Sequence, residues 1–130
     1  MWLYNNSPLL EIPEKAYGYV YLITNNITGR KYIGKKLFWF RKTKVLKGKK
    51  KRLKVESDWR TYWSSSDELK EDVKNLGEDN FTREILHICE NKGMCNYLEA
   101  KEQMLRCVLE TRDYYNSQIQ CRVHRTHIKK

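Results

Sequence analysis

The chain has 130 residues, with 26 Lys and Arg against 16 Asp and Glu and a net charge of +10. This length predicts a single domain with one hydrophobic core. No apolar stretch approaches membrane-spanning length, and residues 1–10 lack the basic start and apolar run of a secretion signal. The sequence therefore predicts a soluble, cytoplasmic protein whose four cysteines stay reduced, and argues against membrane proteins and secreted disulfide scaffolds.

Residues 17–24 and 31–35 are rich in Tyr, Val and Ile and flank a turn-forming segment at 25–29. This pattern predicts a β-hairpin. Because side chains alternate along a strand, Tyr21 shares a face with the other odd-numbered residues of the first strand. The turn then brings Tyr21 close to Tyr32.

The positive charge is concentrated in one part of the chain. Residues 30–60 hold fourteen Lys and Arg against two acidic residues, whereas residues 61–121 hold seven basic and twelve acidic residues. The densest stretch, residues 47–54, contains too few apolar residues to pack on a core and is interpreted as a mobile loop. A solvated loop or a transport signal explains it, but binding of a polyanion explains it better, because an isolated cluster of like charges repels itself.

A helix is predicted after the basic segment. Ser65 and Glu68 form a capping-box pair, and Leu69, Val73 and Leu76 recur on one face until Gly77 ends the helix. These residues predict a helix of about three turns.

A third strand and a last helix follow. Phe81 to Cys89 has the alternation of a strand. The last helix is predicted from Asn96 to Arg112, with Leu98, Leu105 and Leu109 on its buried stripe. The predicted order is strand, strand, a helical or irregular insert, helix, strand, helix and an irregular tail.

The tyrosines of the hairpin carry a family resemblance. Tyr19-Val20-Tyr21 is followed across the turn by Tyr32-Ile33-Gly34, a pair of triplets that resembles the signature of GIY-YIG nucleases. The second triplet is literal, whereas the first has Tyr19 at the family's Gly position, with Gly18 one place earlier. Residues 65–86 further resemble the Seg-type homing endonucleases of bacteriophages.

The resemblance implies an α/β (α+β) domain of the small GIY-YIG type, with a three-stranded antiparallel sheet flanked by helices. One such domain spans residues 1–130, with its core at about 16–116. A basic insertion at about 41–60 and a basic tail at 117–130 complete it.

The resemblance also implies a metal site at Glu99, on the last helix. The expected ion is Mg²⁺ or another divalent cation such as Mn²⁺, because phosphodiester hydrolysis needs a cation to offset charge developing on the phosphate. A second interpretation is local: Asn96 and Glu99 are spaced as a capping-box pair, which needs no metal.

The resemblance implies that Tyr21 and Tyr32 face the scissile phosphate, where one activates or orients the attacking water. As strand-forming residues they also have a purely structural interpretation. A phenol with a pKa near 10 is a poor base at neutral pH, so Lys35, Lys36 or the metal has to lower that pKa.

The family's phosphate-holding arginine, on a helix after the YIG strand, is matched to Arg41, with Arg60 as the alternative. Asn116 resembles the family's late Asn, which braces the site, and is otherwise a turn residue after a helix. The residues expected to contact nucleic acid are Lys35, Lys36, Lys47, Lys49, Lys50, Lys51, Arg52, Lys54 and Arg60.

The resemblance implies a metal-dependent endonuclease that hydrolyses phosphodiester bonds of double-stranded DNA, similar to phage homing endonucleases and active in the host cytoplasm. The alternatives are a non-catalytic nucleic-acid-binding or regulatory protein that keeps the fold, and a small enzyme of RNA processing. Because the chain leaves no room for a separate recognition module, we expect low sequence specificity unless a homodimer or a partner protein supplies it.

Overall fold

The computed structural model describes residues 1–46, 48–122 and 124–128, and it leaves out the side chains of residues 42–46 and 49–52. The described residues form these strands and α-helices: β1 (Trp2–Tyr4), β2 (Ser7–Pro8), β3 (Gly18–Asn25), β4 (Lys31–Leu37), β5 (Trp39–Leu46), β6 (Lys49–Glu56), α1 (Asp67–Leu76), β7 (Phe81–Cys89) and α2 (Lys92–Leu105). Short 3₁₀ turns lie at Trp59–Thr61, Glu78–Asn80 and Arg125–His127. Within the described ranges, neither α-helix is long and apolar enough to cross a membrane.

The main sheet has the strand order β2-β1-β7-β3-β4. Its strands β7, β3 and β4 are antiparallel, which confirms the predicted α+β class and the predicted hairpin. The sheet is larger than expected, because β1 pairs in parallel with β7, and β2 pairs with β1. A three-residue strand that pairs with a segment about 80 residues away leaves too little local pattern to be predicted from the sequence.

Strand β3, which lies between β7 and β4, is buried on both faces. Tyr19, Tyr21 and Ile23 lie in one core cluster, whereas Val20 and Leu22 lie in a second cluster on the opposite face. Helix α1 contributes to the first cluster and α2 to the second, so the sheet is the middle of three layers.

Helix α1 confirms the predicted buried face at Leu69 and Val73 but not at Leu76, which is 36% exposed, and it does not confirm the predicted cap. The hydroxyl of Ser66, one residue after Ser65, accepts a hydrogen bond from the Leu69 N–H at 3.3 Å. Leu69 and Val73 are buried, and the helix ends at Gly77, whose φ of +92° favours glycine.

The predicted bounds of the last helix, Asn96 to Arg112, are wrong. Helix α2 begins after Asn91, whose side chain accepts a hydrogen bond from the Met94 N–H at 2.9 Å. Leu105 and Leu109, predicted to be buried, are 70% and 50% exposed. Asn91, five residues before Asn96, is an equally good cap. The helix ends at Leu105, so Leu109 lies beyond it and Leu105 sits at its exposed last turn.

The expected mobile loop and helical or irregular insert are also wrong. β5 and β6 pair along their full lengths, from Trp39↔Glu56 to Leu46↔Lys49, as a separate two-stranded sheet. We call residues 39–56 the basic ribbon. Its strands contain β-forming aromatic and β-branched residues, and Gly48 in the turn has a φ of +77°, but the charge density hides this pattern in the sequence.

Candidate active site

A pocket of about 230 Å³ lies at β4, the edge strand of the main sheet. It collects residues from β3, β4, the segment before α1, helix α2 and the C-terminal tail. They are Tyr21, Tyr32, Gly34, Lys35, Ser65, Glu99, Gln103, Gln118 and Gln120. Three predicted catalytic residues, Tyr21, Tyr32 and Glu99, therefore line one cavity.

The hairpin register sets the spacing of the two tyrosines. Tyr21 is paired with Gly34, and Tyr32 lies diagonally across from Tyr21 with the ring centroids 6.1 Å apart. A Cβ atom on Gly34 would lie 2.6 Å from Cζ of Tyr21 and 2.9 Å from Cε2 of Tyr32. The glycine of the YIG triplet is therefore required because two tyrosine rings fill the space beside it.

Gly18 has a comparable steric role on β3. A Cβ atom there would lie 2.7 Å from the backbone oxygen of Lys36. The residue that follows it, Tyr19, is fully buried and packs on Trp2 and Phe38. The close backbone approach thus occurs at Gly18, while the residue at the family's Gly position is part of the core.

Burial sets the protonation state of both phenols. It raises the pKa of Tyr21 well above its ordinary value, and the neighbouring Tyr62 and Tyr32 raise it further. Burial also raises the pKa of Tyr32, although a hydrogen bond with Ser65 opposes the shift. The expected lowering of a phenol pKa by Lys35 or Lys36 is therefore not found in the protein without metal, and both hydroxyls are neutral near pH 7.

Two residues beside the tyrosines were missed by the sequence analysis. The Tyr32 hydroxyl lies 3.2 Å from Oγ of Ser65, and the ring of Tyr62 packs edge-on against Tyr21 with the centroids 6.0 Å apart. Both residues follow the basic ribbon and reach the pocket through tertiary packing, for which the sequence carries no local signal.

Glu99 enters the pocket from the second turn of α2. Its side chain is 15% exposed, and Oε1 lies 3.8 Å from Nζ of Lys35. Burial raises the pKa of Glu99, whereas the Lys35 ammonium opposes that shift. Asn96 lies inside helix α2, whose cap is Asn91, and its side chain accepts a hydrogen bond from Lys35 on β4. The capping-box interpretation of Asn96 and Glu99 is therefore wrong.

Gln103 lies one turn beyond Glu99 and is 4% exposed. Its Nε2 donates to the Ile33 carbonyl at 3.1 Å, whereas Oε1 has no hydrogen-bond partner among the described residues. The i, i+4 spacing from Glu99 is the sequence signal that predicts a residue on the same helix face. The tail residues Gln118 and Gln120 have no such signal.

Asn116 clamps the YIG strand from outside the pocket. Its Oδ1 accepts from the Ile33 N–H at 3.0 Å, and its Nδ2 donates to the Ile33 carbonyl at 2.8 Å. Residues 113–115 pair with Lys31, which brings Asn116 alongside β4. Asn116 is thus hydrogen-bonded along the edge strand β4, and its role in bracing a catalytic site stays a prediction.

The donor set fits a hard divalent cation. A buried carboxylate faces a cavity that is also lined by amide and phenol oxygens, and Mg²⁺ and Mn²⁺ prefer oxygen ligands. Within the described part of the chain, no group of three His, Cys, Asp or Glu side chains is placed to hold a metal. Glu99 is accordingly the carboxylate that fits a site completed by water and substrate oxygens.

The other predicted cations lie away from this pocket. Lys36 pairs with Asp58 at 2.6 Å and lies over the ring of Tyr62. Arg41 lies on strand β5, not on a helix, and lines a different cavity next to Tyr17. Arg60 stacks on Trp59 and donates to the Leu10 carbonyl. Among the expected phosphate-contacting cations whose side chains the structure describes, Lys35 is the one that lines the pocket.

The remaining predicted nucleic-acid contacts belong to the basic ribbon. Lys54 is exposed and lies over the ring of Trp39, with Nζ 4.6 Å from the ring centroid. Lys47 lies outside the described residues, as do the side chains of Lys49, Lys50, Lys51 and Arg52.

Comparison with known proteins identifies the family of the chain. The family model described as putative endonuclease segE, GIY-YIG domain, matches residues 2–119. No curated protein and no solved structure matches the chain significantly. The match spans the hairpin with both tyrosine triplets, Glu99 and Asn116. The chain therefore belongs to the Seg-type GIY-YIG endonuclease family.

Proposed function

We propose that this chain is a metal-dependent endonuclease that hydrolyses phosphodiester bonds of double-stranded DNA. The observation that carries the proposal is the convergence of Tyr21, Tyr32 and Glu99, from three separate elements, on one small cavity. The Seg-type family membership supports a role similar to that of phage homing endonucleases, in the cytoplasm of the host cell.

In this proposal Glu99 holds Mg²⁺ or Mn²⁺ at the wall of the pocket. The bound cation supplies electrostatic stabilisation of the charge that develops on the phosphate oxygens. Glu99 has to be ionised to bind it, and its raised pKa therefore sets a lower pH limit on activity. The nearby Lys35 ammonium already favours the ionised carboxylate and has to share it with the metal.

The two tyrosines act as neutral hydrogen-bonding groups in this proposal. Phenols with raised pKa values donate to a phosphate oxygen or orient a water molecule, but they do not remove its proton near pH 7. Ser65 fixes the hydroxyl of Tyr32 through their 3.2 Å contact. The proton of the attacking water has to leave through a group other than a free phenolate.

Lys35 takes the role of phosphate-binding cation in this proposal, ahead of Arg41 and Arg60. Its ammonium lies on the pocket wall, next to the carboxylate that would hold the metal. A lysine neutralises a phosphate as a point charge, without the paired hydrogen bonds of an arginine.

Incubation of the purified protein with supercoiled plasmid, in Mg²⁺ or in EDTA, tests the proposal. We expect nicked or linear DNA in Mg²⁺ and intact plasmid in EDTA. Binding without cleavage in either condition would instead support the non-catalytic alternative, and cleavage of RNA alone would support an RNA-processing enzyme.

A further inference from the structure

The basic ribbon is a second sheet, separate from the main sheet that carries the pocket. β5 and β6 pair with each other through eight cross-strand residue pairs, and neither is hydrogen-bonded into the main sheet. A two-stranded ribbon of this kind is marginally stable by itself in water. Its base is held by Phe38, which is fully buried, and by the hydrogen bond from the Ser57 N–H to the Phe38 carbonyl at 2.8 Å.

The charge of the ribbon opposes its own pairing. Residues 39–56 contain nine Lys and Arg and one acidic residue, Glu56. The register places Arg41 directly opposite Lys54, and both side chains are exposed. Like charges directly opposite each other destabilise a strand pair, so this sequence fits a ribbon that is used with a polyanion beside it.

The ribbon also exposes apolar side chains near its base. Phe40 is 42% exposed, Leu53 is 41% exposed and Val55 is 36% exposed. A surface that only contacts phosphates does not need these groups, whereas the edges of DNA bases offer apolar partners such as the thymine methyl group.

The dimensions of the ribbon select one groove of B-form DNA. Neighbouring strands lie about 5 Å apart, and eight residues extend about 26 Å. The major groove is about 12 Å wide and admits a two-stranded ribbon, whereas the minor groove, at about 6 Å, does not.

The ribbon and the pocket are close enough to act on the same duplex. Lys35 lines the pocket, and Arg41 follows it by six residues, a distance of at most about 20 Å along an extended chain. This distance corresponds to about six base pairs at 3.4 Å each. A duplex with its backbone at the pocket therefore has its groove within reach of the ribbon.

We propose that the basic ribbon enters the major groove of double-stranded DNA and so serves as the DNA-docking element of this chain. The inference rests on the proposed function for the nature of the nucleic acid, but it concerns binding rather than cleavage.

The test measures binding of a short mixed-sequence duplex by fluorescence anisotropy in EDTA, where no turnover is expected. Methyl green, which occupies the major groove, and netropsin, which occupies the minor groove, compete in parallel titrations. We expect methyl green to raise the apparent Kd about tenfold or more, because the loss of one good groove contact has this effect. We expect netropsin to leave the apparent Kd unchanged.

A shortened ribbon provides the matched variant. Residues 44–51 are deleted, and Thr43 is joined to Arg52, its cross-strand partner, through an Asn-Gly turn. This change removes five lysines. We expect weaker binding that methyl green no longer affects, and a slope of log K against log salt that is smaller by about 4. The charge control replaces five exposed cations elsewhere with alanine: Lys70, Lys74, Lys92, Lys101 and Arg112.

The outcomes separate this inference from the proposed function. Displacement by netropsin instead of methyl green, or equal binding by the shortened and wild-type chains, would overturn the ribbon inference even if the plasmid is cleaved. If the shortened chain does not fold, the charge reversals Arg41→Glu and Lys54→Glu at the base of the ribbon give the same test. If methyl green displaces the wild-type chain from DNA but the chain does not cleave plasmid, the result supports docking by the ribbon and refutes the proposed nuclease activity.

Discussion

At the scale of single residues, burial decides what each group in the pocket can do. Burial raises the pKa of Glu99, and Lys35 counteracts part of that shift. Glu102 lies three residues further along the same helix. Burial would raise the pKa of Glu102 too, but hydrogen bonds from Arg106 and His87 outweigh it and lower that pKa. Two glutamates on one helix thus have opposite effects on stability.

We predict that Glu99→Gln makes the metal-free protein more stable near pH 7. A carboxyl whose pKa is raised on folding stabilises the protein below its unfolded pKa of about 4.3, and this stability is lost as the pH rises through the folded pKa. Near pH 7 the wild type therefore carries a cost that glutamine lacks. Below about pH 4 the two proteins should unfold at the same temperature.

Glu102→Gln is the control, for which we expect a change in stability of the opposite sign. Its lowered pKa means that Glu102 stabilises the fold above its unfolded pKa, so the variant should be less stable than the wild type near pH 7. Thermal unfolding of the three proteins in EDTA from about pH 3 to 8 measures both effects. Destabilisation by Glu99→Gln would show that the carboxylate is a structural ion-pair partner of Lys35.

We predict that Tyr32→Phe loses far more activity than Tyr19→Phe. Each change deletes one hydroxyl and keeps a packed ring, but the Tyr32 hydroxyl lines the pocket, whereas the Tyr19 hydroxyl lies 3.4 Å from the Trp59 carbonyl in the core. If Tyr32 orients the attacking water, its loss should cost about 10²-fold in rate. Rates at saturating DNA, with melting temperatures alongside, separate catalysis from binding and stability. Equal small losses would assign both phenols to the core.

At the scale of secondary structure elements, local patterns predicted the hairpin and failed where pairing is distant. The alternation of β3 and the turn at Asn25 to Gly29 act over a few residues, so the approach of Tyr21 to Tyr32 followed from the sequence. Strand β1 depends on a partner far along the chain, and the basic ribbon hides its β-forming residues among lysines. Strand β1 could not be recognised without its distant partner, and the high charge of the ribbon obscured a pairing that is local.

We predict that Asn116→Ala destabilises the protein by about 1 to 3 kcal/mol, the cost of leaving a buried backbone N–H without a partner. The change removes both hydrogen bonds to Ile33, and the Ile33 carbonyl keeps only Gln103 as a donor. Chemical denaturation measures the effect. Asn26→Ala is the control, because it deletes an exposed amide whose partner is Thr82 on the neighbouring strand. Equal costs in the two variants would contradict the clamp.

At the scale of the whole molecule, the sheet brings together residues that are separated by about 80 positions in the sequence. Tyr21 and Tyr32 face the layer that contains α1, whereas Lys35 and Glu99 meet on the side of α2. Because β4 is the edge strand, side chains from both faces of the sheet can line the same pocket beside this strand. The family resemblance predicts a metal-binding role for Glu99, but the position of Glu99 beside Gln103 and the tail depends on three-layer packing that the sequence pattern does not contain.

The charge distribution follows the same division of the molecule. The acidic residues lie mainly in 61–121, which includes both α-helices, while the excess of cations lies in 30–60, which includes strand β4 and the basic ribbon. A polyanion is thus attracted to residues 30–60 and repelled by residues 61–121. This division of charge fits the proposed docking of DNA on the basic ribbon.

Plasmid cleavage by Glu99→Gln and Glu102→Gln in Mg²⁺ tests most directly whether this pocket is catalytic. Both changes remove one negative charge from α2, but Glu99 alone of the two lines the pocket. We predict that Glu99→Gln abolishes cleavage while it folds and still binds DNA, and that Glu102→Gln cleaves at close to the wild-type rate when assayed well below its melting temperature. Wild-type cleavage by a folded Glu99→Gln protein would contradict the assignment of this carboxylate, and with it the catalytic role of the pocket.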